Sequence, residues 1–411
     1  MVKRVIGLEE ARRRLEGRWR PRPRVEEVGI WEAWGRAAAE EVRCGVDLPP
    51  FDRALYDGYA VRAEDTFGAE EDAPVILRVV GRVEAGDWPS VRVGRGECAY
   101  VATGAPLPGG ADAVVMTEHA VEEGGRVRVY RPVAPGENVW RRGAERKRGE
   151  RLLSPGRVLT PWVVGALAAA GVGRVRVYAR PRVGVMATGD ELEEPGRRLG
   201  KGKIFNSNGP MLCAAVASCG CIPVWLGVAR DSPQELRRRI SRGLSGCEAL
   251  VVSGGSSEGE RDLVPSVVSG MGRPGLLFHG LALKPGKPTF VALLGKKPVF
   301  GLPGYPLSAL MVFHLLVEPY LRRMAGLPES PALSVRARLA EGVEKARGRE
   351  ELIPVKLRLG REGCLAEVVR KGSGAITSLL EVSGYLRVPA ERERLAEGEE
   401  VEVFLFGGRL A

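Results

Sequence analysis

Between residues 182 and 326 short apolar runs alternate with longer helical patterns, and no other feature of the sequence restricts the fold as strongly. Residues 183–187, 222–228, 249–253, 276–283, 289–294 and 299–300 read as strands. Residues 210–218, 233–244, 263–268 and 307–324 read as helices. Strands interleaved with helices predict a doubly wound α/β domain around a mainly parallel sheet. Ligands of such sheets bind beyond the C-terminal ends of the strands.

The rest of the chain has a different texture. Residues 8–20 predict a helix stopped by Pro21 and Pro23, and 30–42 a second one. Short Val-rich runs broken by Gly and Pro from 46 to 139 predict a small β-rich domain. Residues 157–171 look helical, 175–178 form a strand candidate, and 332–411 return to strand-like runs. With 411 residues, two to four domains fit a scale of roughly 150 residues each.

Composition narrows the function classes. Hydrophobic residues at 44% can build cores, and the longest apolar stretch, 161–173, is far shorter than the roughly 20 residues a bilayer requires. The N-terminal residues carry no apolar signal core, so a cytoplasmic location without a membrane partner is expected. Seven cysteines without a CxxC pair, and histidines only at 119, 279 and 314, argue for reduced thiols and against zinc. A net charge of +11 favours an anionic partner, either a phosphorylated small molecule or nucleic acid. No zinc finger, basic arm or aromatic-plus-basic sheet motif accompanies the charge, so nucleic acid is not expected. One Gln and three Asn beside many charges fit a hot-growing source.

The chemistry gathers in the loops after the α/β strands. Thr188-Gly189-Asp190-Glu191-Leu192 sets two acids at a strand end, suited to a hard cation or to a plain turn. Asn206-Ser207-Asn208 opens a helix, as a cap or as ligand-facing amides. The run Ser253-Gly254-Gly255-Ser256-Ser257-Glu258-Gly259, followed by Asp262, offers clustered backbone N–H groups to phosphate or forms an ordinary turn. Lys284-Pro285-Gly286-Lys287-Pro288 presents two preset cations, either to an anion or simply to solvent. Gly301-Leu302-Pro303-Gly304-Tyr305-Pro306-Leu307-Ser308 is stiff and leads into a helix. Asp231-Ser232-Pro233-Gln234-Glu235 reads equally as a functional acid or as a helix start with a capping box. Acids, lysines and amides at one sheet edge describe a phosphoester and metal site.

Several of these segments, in order, resemble the MoeA/gephyrin E-domain family. Leu48-Pro49-Pro50-Phe51-Asp52-Arg53-Ala54-Leu55-Tyr56-Asp57-Gly58-Tyr59-Ala60-Val61 and Thr103-Gly104-Ala105-Pro106-Leu107-Pro108 join the loops above in that likeness, which spans residues 8 to 405. The resemblance is to an archaeal or thermophilic type. It implies a MogA-like α/β domain at 181–326, a β-rich domain at 47–139, an elongated dimerisation segment from 1–46 with 140–180, and a C-terminal β domain at 327–411. It implies a molybdopterin molybdenumtransferase that inserts molybdate or tungstate into adenylylated molybdopterin with Mg²⁺ and releases AMP. The implied cleft is shared between the subunits of a homodimer, with an adenylyltransferase as protein partner.

Carried over by position, Asp57, Thr103, Glu191 and Asp262 are the implied catalytic residues. Asp190, Asp231, Ser253, Gly254, Gly255, Ser256, Lys284, Lys287, Pro303, Ser373 and Ser378 are the implied substrate contacts. Asp190, Glu191, Asp262 and Glu145 are the candidate metal or oxyanion ligands. The chain departs from the family at Arg53-Ala54-Leu55-Tyr56, at Glu145, at Ser256-Ser257-Glu258 and at Tyr305. Two rival functions remain: adenylylation of molybdopterin by ATP, and a pterin-binding scaffold without turnover.

Overall fold

The computed structural model describes residues 5–256, 263–329, 333–345, 348–360, 363–372 and 374–406. Helix α1 (Leu8–Glu16) places Leu8, Ala11 and Leu15 on one buried face and ends at Gly17. That face belongs to the core of the α/β unit, together with Phe300, Leu321 and Tyr320. Beyond it, Val25–Gly29 pairs antiparallel with Arg174–Tyr178, and Val42–Arg43 with Arg151–Leu153.

The helix expected over 30–42 is replaced by one 3₁₀ turn, Ile30–Glu32, and by bridges from Ala37 to Val158 and Ala38 to Val177. Gly35 adopts φ +73°, outside helical geometry, and Ala37 and Ala38 lie fully buried against those partners. Tertiary pairing overrides the helix propensity of an Ala-rich run. Helix α2 (Pro161–Ala169) crosses this segment and buries Leu167.

The β-rich unit is a six-stranded sheet running, edge to edge, Ala113–Met116, Gly58–Val61, Glu97–Val101, Val75–Val83, Arg126–Val129 and Ala120–Glu123. It has its own two cores, around Leu77 and around Val101. Its connections to the chain that follows it include Arg142 Nε to Asp47 at 2.6 Å and Leu48 N to Arg146 O at 2.8 Å.

The α/β unit carries β1 (Arg182–Thr188), α3 (Asn208–Ser218), β2 (Ile222–Ala229), α4 (Pro233–Gly246), β3 (Ala249–Ser253), α5 (Val264–Ser269), β4 (Pro274–His279), β5 (Phe290–Leu294) and β6 (Lys297–Leu302). Then follow α6 (Pro306–Val312), a π-turn (Phe313–Val317) and α7 (Glu318–Met324), which together fill the single helix expected there. The sheet order is β2-β1-β3-β6-β5-β4. The strands from β2 to β6 run parallel, while β5 and β4 pair antiparallel at one edge. Val183, Val185, Val251 and Phe300 face one core layer, and Met186, Leu250, Val252 and Val299 the other. This two-sided burial makes each run read as continuously apolar.

In the C-terminal unit, Ser334–Leu339, Glu350–Gly360, Gly363–Val368, Gly384–Val388 and Glu400–Leu405 close on themselves, because Glu350–Gly360 and Glu400–Leu405 both pair with Gly384–Val388. The short strand Leu283–Lys284 of the α/β unit adds to this barrel beside Glu350 and Glu351. The seven cysteines are unpaired thiols, five of them buried, and burial pushes Cys98 and Cys221 up to about 12. No described helix is long and apolar enough to cross a membrane.

Candidate active site

Strand register decides which loops meet. Thr188 lies beside Ala229, Ala187 beside Ser253, Ser253 beside Leu302, and Gly301, Phe290 and His279 continue the row. The segments after Thr188, Ala229, Ser253, His279 and Leu302 therefore leave from one edge of the sheet. Asn208 opens α3 beside them, since its Nδ2 donates to Ser253 Oγ and to Gly304 O, both at 2.7 Å.

At the first loop, Thr188 is buried and its Oγ1 donates to Asp231 Oδ1 at 2.6 Å. The Asp231 N–H lies 3.4 Å from Asp190 Oδ1, so Asp190 and Asp231 are neighbours across two strand ends. Glu191 is exposed and folds back over its own loop: a Cβ on Gly189 would sit 2.6 Å from Glu191 Oε2. Lys203 Nζ donates to the carbonyl of Asp190. Asp231 is not the helix cap. Ser232 caps α4 by accepting from Glu235 N at 3.2 Å, while Glu235 turns to Arg238 and Arg239 instead of completing the box.

The Asn-Ser-Asn segment, open as a cap or as ligand-facing amides, divides its tasks. Helix α3 begins at Asn208, and Asn206 Oδ1 accepts from Gly209 N at 2.9 Å, so Asn206 satisfies that end. Asn208 is left to tie Ser253 to Gly304.

The Gly/Ser loop is built on two left-handed glycines, Gly254 at φ +89° and Gly255 at φ +57°. A Cβ on Gly254 would fall 2.4 Å from the Thr188 carbonyl oxygen. The Gly254 N–H already donates to Leu302 O at 3.2 Å, which removes it from the amide set expected to face phosphate. Ser253 Oγ donates to Pro303 O and Ser256 Oγ to Leu302 O, so both serines brace the loop internally. Beneath it, buried His279 places Nε2 2.7 Å from the Ser256 carbonyl. No spacing in the sequence singles out His279 or Thr188 for these tasks; only the strand register brings them under the loops. Ser257, Glu258 and Asp262 lie outside the described residues.

Lys284 is exposed, yet its Nζ pairs with Glu351 Oε1 of the barrel at 2.9 Å. Lys287 is half-buried on the same loop, where its carbonyl accepts from Leu281 N and Thr289 N. Pro303 is buried between Gly304 and Leu302, and Tyr305 is exposed. A Cβ on Gly374 would lie 3.5 Å from the Tyr305 ring, so the C-terminal Ser/Gly loop reaches this edge. Ser378 is buried there, its Oγ without a hydrogen-bond partner among the described residues, and Ser373 lies outside them.

Asp57 and Thr103 meet in the β-rich unit. Asp57 Oδ1 accepts from Thr103 N at 2.6 Å and from Thr103 Oγ1 at 2.8 Å. These two bonds, the backbone one first, hold the Asp57 carboxyl below its ordinary value. Glu145 is exposed just after the β-rich unit, where its N–H donates to Leu48 O. Among the described residues no group of three or more His, Cys, Asp or Glu side chains could hold a metal ion unaided.

Comparison with known proteins accounts for most of the chain. Residues 6–171 match the family model of the MoeA N-terminal region (domain I and II), 184–323 that of the "Probable molybdopterin binding domain", and 336–406 that of the MoeA C-terminal region (domain IV). The molybdopterin molybdenumtransferase of Nostoc sp. is 33% identical over 387 residues, covering 92% of this chain and 88% of that one. A protein of the same name from Staphylococcus aureus (strain COL) is 31% identical over 406 residues, covering 97% and 95%. The crystal structure of a MoeA protein from Pyrococcus horikosii superposes with a TM-score of 0.83 at 42% identity over 98% of this chain and 99% of that one. With all three regions present in order and the same architecture throughout, the chain belongs to the MoeA family.

Proposed function

We propose that this chain is a molybdopterin molybdenumtransferase of molybdenum cofactor biosynthesis, which inserts molybdate or tungstate into adenylylated molybdopterin and releases AMP. What supports the reading is that Asp190, Asp231, the Gly254–Gly255 turn and the Lys284 loop all leave one sheet edge of a chain that carries the three MoeA regions in order. The competing adenylyltransferase reading leaves the β-rich unit and its Asp57–Thr103 pair without a task. ATP consumption during turnover would favour that rival; AMP release from adenylylated molybdopterin without ATP favours ours. A scaffold would bind the same pterin and release no AMP.

The acids fit Mg²⁺. Its preferred ligands are oxygens, and it commonly takes one or two carboxylates with substrate phosphates completing the set. Asp190 and Glu191 would hold it, and the bound ion would neutralise their charge beside an anionic substrate. Thr188 fixes Asp231 by donating to it, so that acid faces the loop in one rotamer. Lys284 and Lys287 would offset the charge of the phosphates and the oxyanion. The tight Gly254–Gly255 turn lets the backbone approach the phosphate with no side chain between. The bond broken is the phosphoanhydride joining AMP to the pterin phosphate, with water supplying the new P–O bond, while the two pterin thiols bind the metal and one oxide of the oxyanion leaves with their protons as water.

In this reading the protein is a cytoplasmic homodimer that receives its substrate from an adenylyltransferase. Trp31, Trp34 and Trp162 are 95%, 62% and 72% exposed, and α2 leaves Ala166, Ala168 and Ala169 uncovered, an apolar face that a second subunit would bury. Asp57 and Thr103 belong to a unit with separate cores, which suits donation of this pair to the partner's cleft. Mixing Asp57→Asn with Asp231→Asn chains should regenerate one intact site per heterodimer; no recovery despite proven exchange would sink the shared cleft.

A further inference from the structure

The other edge of the sheet carries a second charged feature. A cleft of about 720 Å³ is lined by Arg18, Arg20, Arg22, Arg24, Lys296 and Lys297. Its wall also includes Pro181, just before β1, and Glu248, just before β3, while Lys297 begins β6. These are the N-terminal strand ends. Since β1 is 7 residues long, the cleft lies roughly 20 Å from the Thr188 loop, too far to serve the anionic substrate.

The segment after α1 alternates. Arg18, Arg20, Arg22 and Arg24 are exposed, whereas Trp19, Pro21 and Pro23 are half-buried. Each proline restrains the residue before it to an extended conformation. Arg20, Arg22 and Arg24 are thus presented at every second position, about 6–7 Å apart along the chain, while Arg18 sits in the turn that ends α1. Some exposed arginines find carboxylates, as Arg174 does with Glu27 and Arg176 with Glu40. Here Arg24 pairs with Glu248, but among the described residues Arg18, Arg20, Arg22 and Lys296 have no ion pair.

We propose that this cleft docks a partner protein through an extended segment bearing acidic side chains at alternate positions. The period of such a segment matches that of the arginines, and its charge complements theirs. Nucleic acid fits less well. Single strands bind through aromatic platforms as well as charge, and the one ring among the described residues that line the cleft, Trp19, packs against Tyr320 with centroids 6.0 Å apart.

The test uses the full chain and a short labelled peptide alternating Glu and Ser, with oligo-dT of equal length in a parallel arm. The peptide should bind, and binding should weaken as salt rises. Arg18→Gln/Arg20→Gln/Arg22→Gln should lose about tenfold in affinity, from a few-fold per exposed pair. Lys296→Gln, on another element, should lose in the same direction. The charge-matched Arg95→Gln/Arg126→Gln/Arg237→Gln chain should bind as the parent does. Equal losses in the two triple variants, tighter binding of oligo-dT than of peptide, or no peptide binding would each overturn the proposal.

Discussion

Replacing Gly254 with alanine should disable the phosphate loop while sparing the rest of the fold. The residue sits at φ +89°, where an L side chain costs roughly 1–2 kcal/mol. The new Cβ would also stand 2.4 Å from the Thr188 carbonyl oxygen, a backbone atom in a central strand that cannot swing aside. Overpacking of that kind adds about 1–3 kcal/mol, giving a total of about 2–5 kcal/mol. Because Ser253, Ser256 and His279 are buried around the loop, relief requires the loop itself to shift. Gly304 is the internal control: it is not left-handed, and its nearest neighbour for a Cβ is the Gly254 Cα at an ordinary 3.8 Å. Gly304→Ala should change stability by less than about 1 kcal/mol. Thermal unfolding by circular dichroism, with AMP release from the adenylylated pterin, reads both effects. The reasoning fails if Gly254→Ala matches the parent in stability and turnover, or if Gly304→Ala is equally damaging.

Ser232→Ala should cost about 1 kcal/mol of stability with turnover retained, because Ser232 is the cap of α4, whereas Asp231→Asn should lower turnover at nearly parental stability; denaturant unfolding beside AMP release separates them. Lys284→Ala should weaken pterin binding about tenfold to a hundredfold, while Glu351→Gln, which frees Lys284 from its barrel partner, should bind at least as tightly as the parent; calorimetric titration decides. Asp57 has a depressed folded-state pKa, so the stability it contributes is present above its ordinary 3.8 and is lost only as pH falls through the folded value. Thr103→Val removes one of its two donors and should raise the Asp57 pKa part of the way back, measurable by carboxyl-carbon NMR titration.

The doubly wound unit was legible because its strands are buried on both faces, which gives runs such as 249–253 that cannot be amphipathic helices. The loops at its edge could be read from Gly, Pro, Asp and Lys clusters at those strand ends. What the sequence hid were relations between distant segments. Ala37 and Ala38 look helical until Val158 and Val177 are brought to them. Asn206, Ser207 and Asn208 are all competent caps, and only the approach of Ser253 and Gly304 decides that Asn206 caps while Asn208 ties loops. A solitary histidine carries no signal of its own, yet register sets His279 under the Ser256 carbonyl. Lys284 read as a solvated or substrate-facing cation, and its pairing with Glu351 needed the barrel to close against the α/β unit.

The most direct test of the proposed activity measures two products in one sample. The purified chain is incubated with adenylylated molybdopterin, Mg²⁺ and molybdate, without ATP; AMP is quantified by chromatography and pterin-bound molybdenum by mass spectrometry. The account predicts that both rise together in proportion, depend on Mg²⁺ and stop in Gly254→Ala. AMP released without metal entering the pterin, or metal insertion only when ATP is supplied, would contradict it.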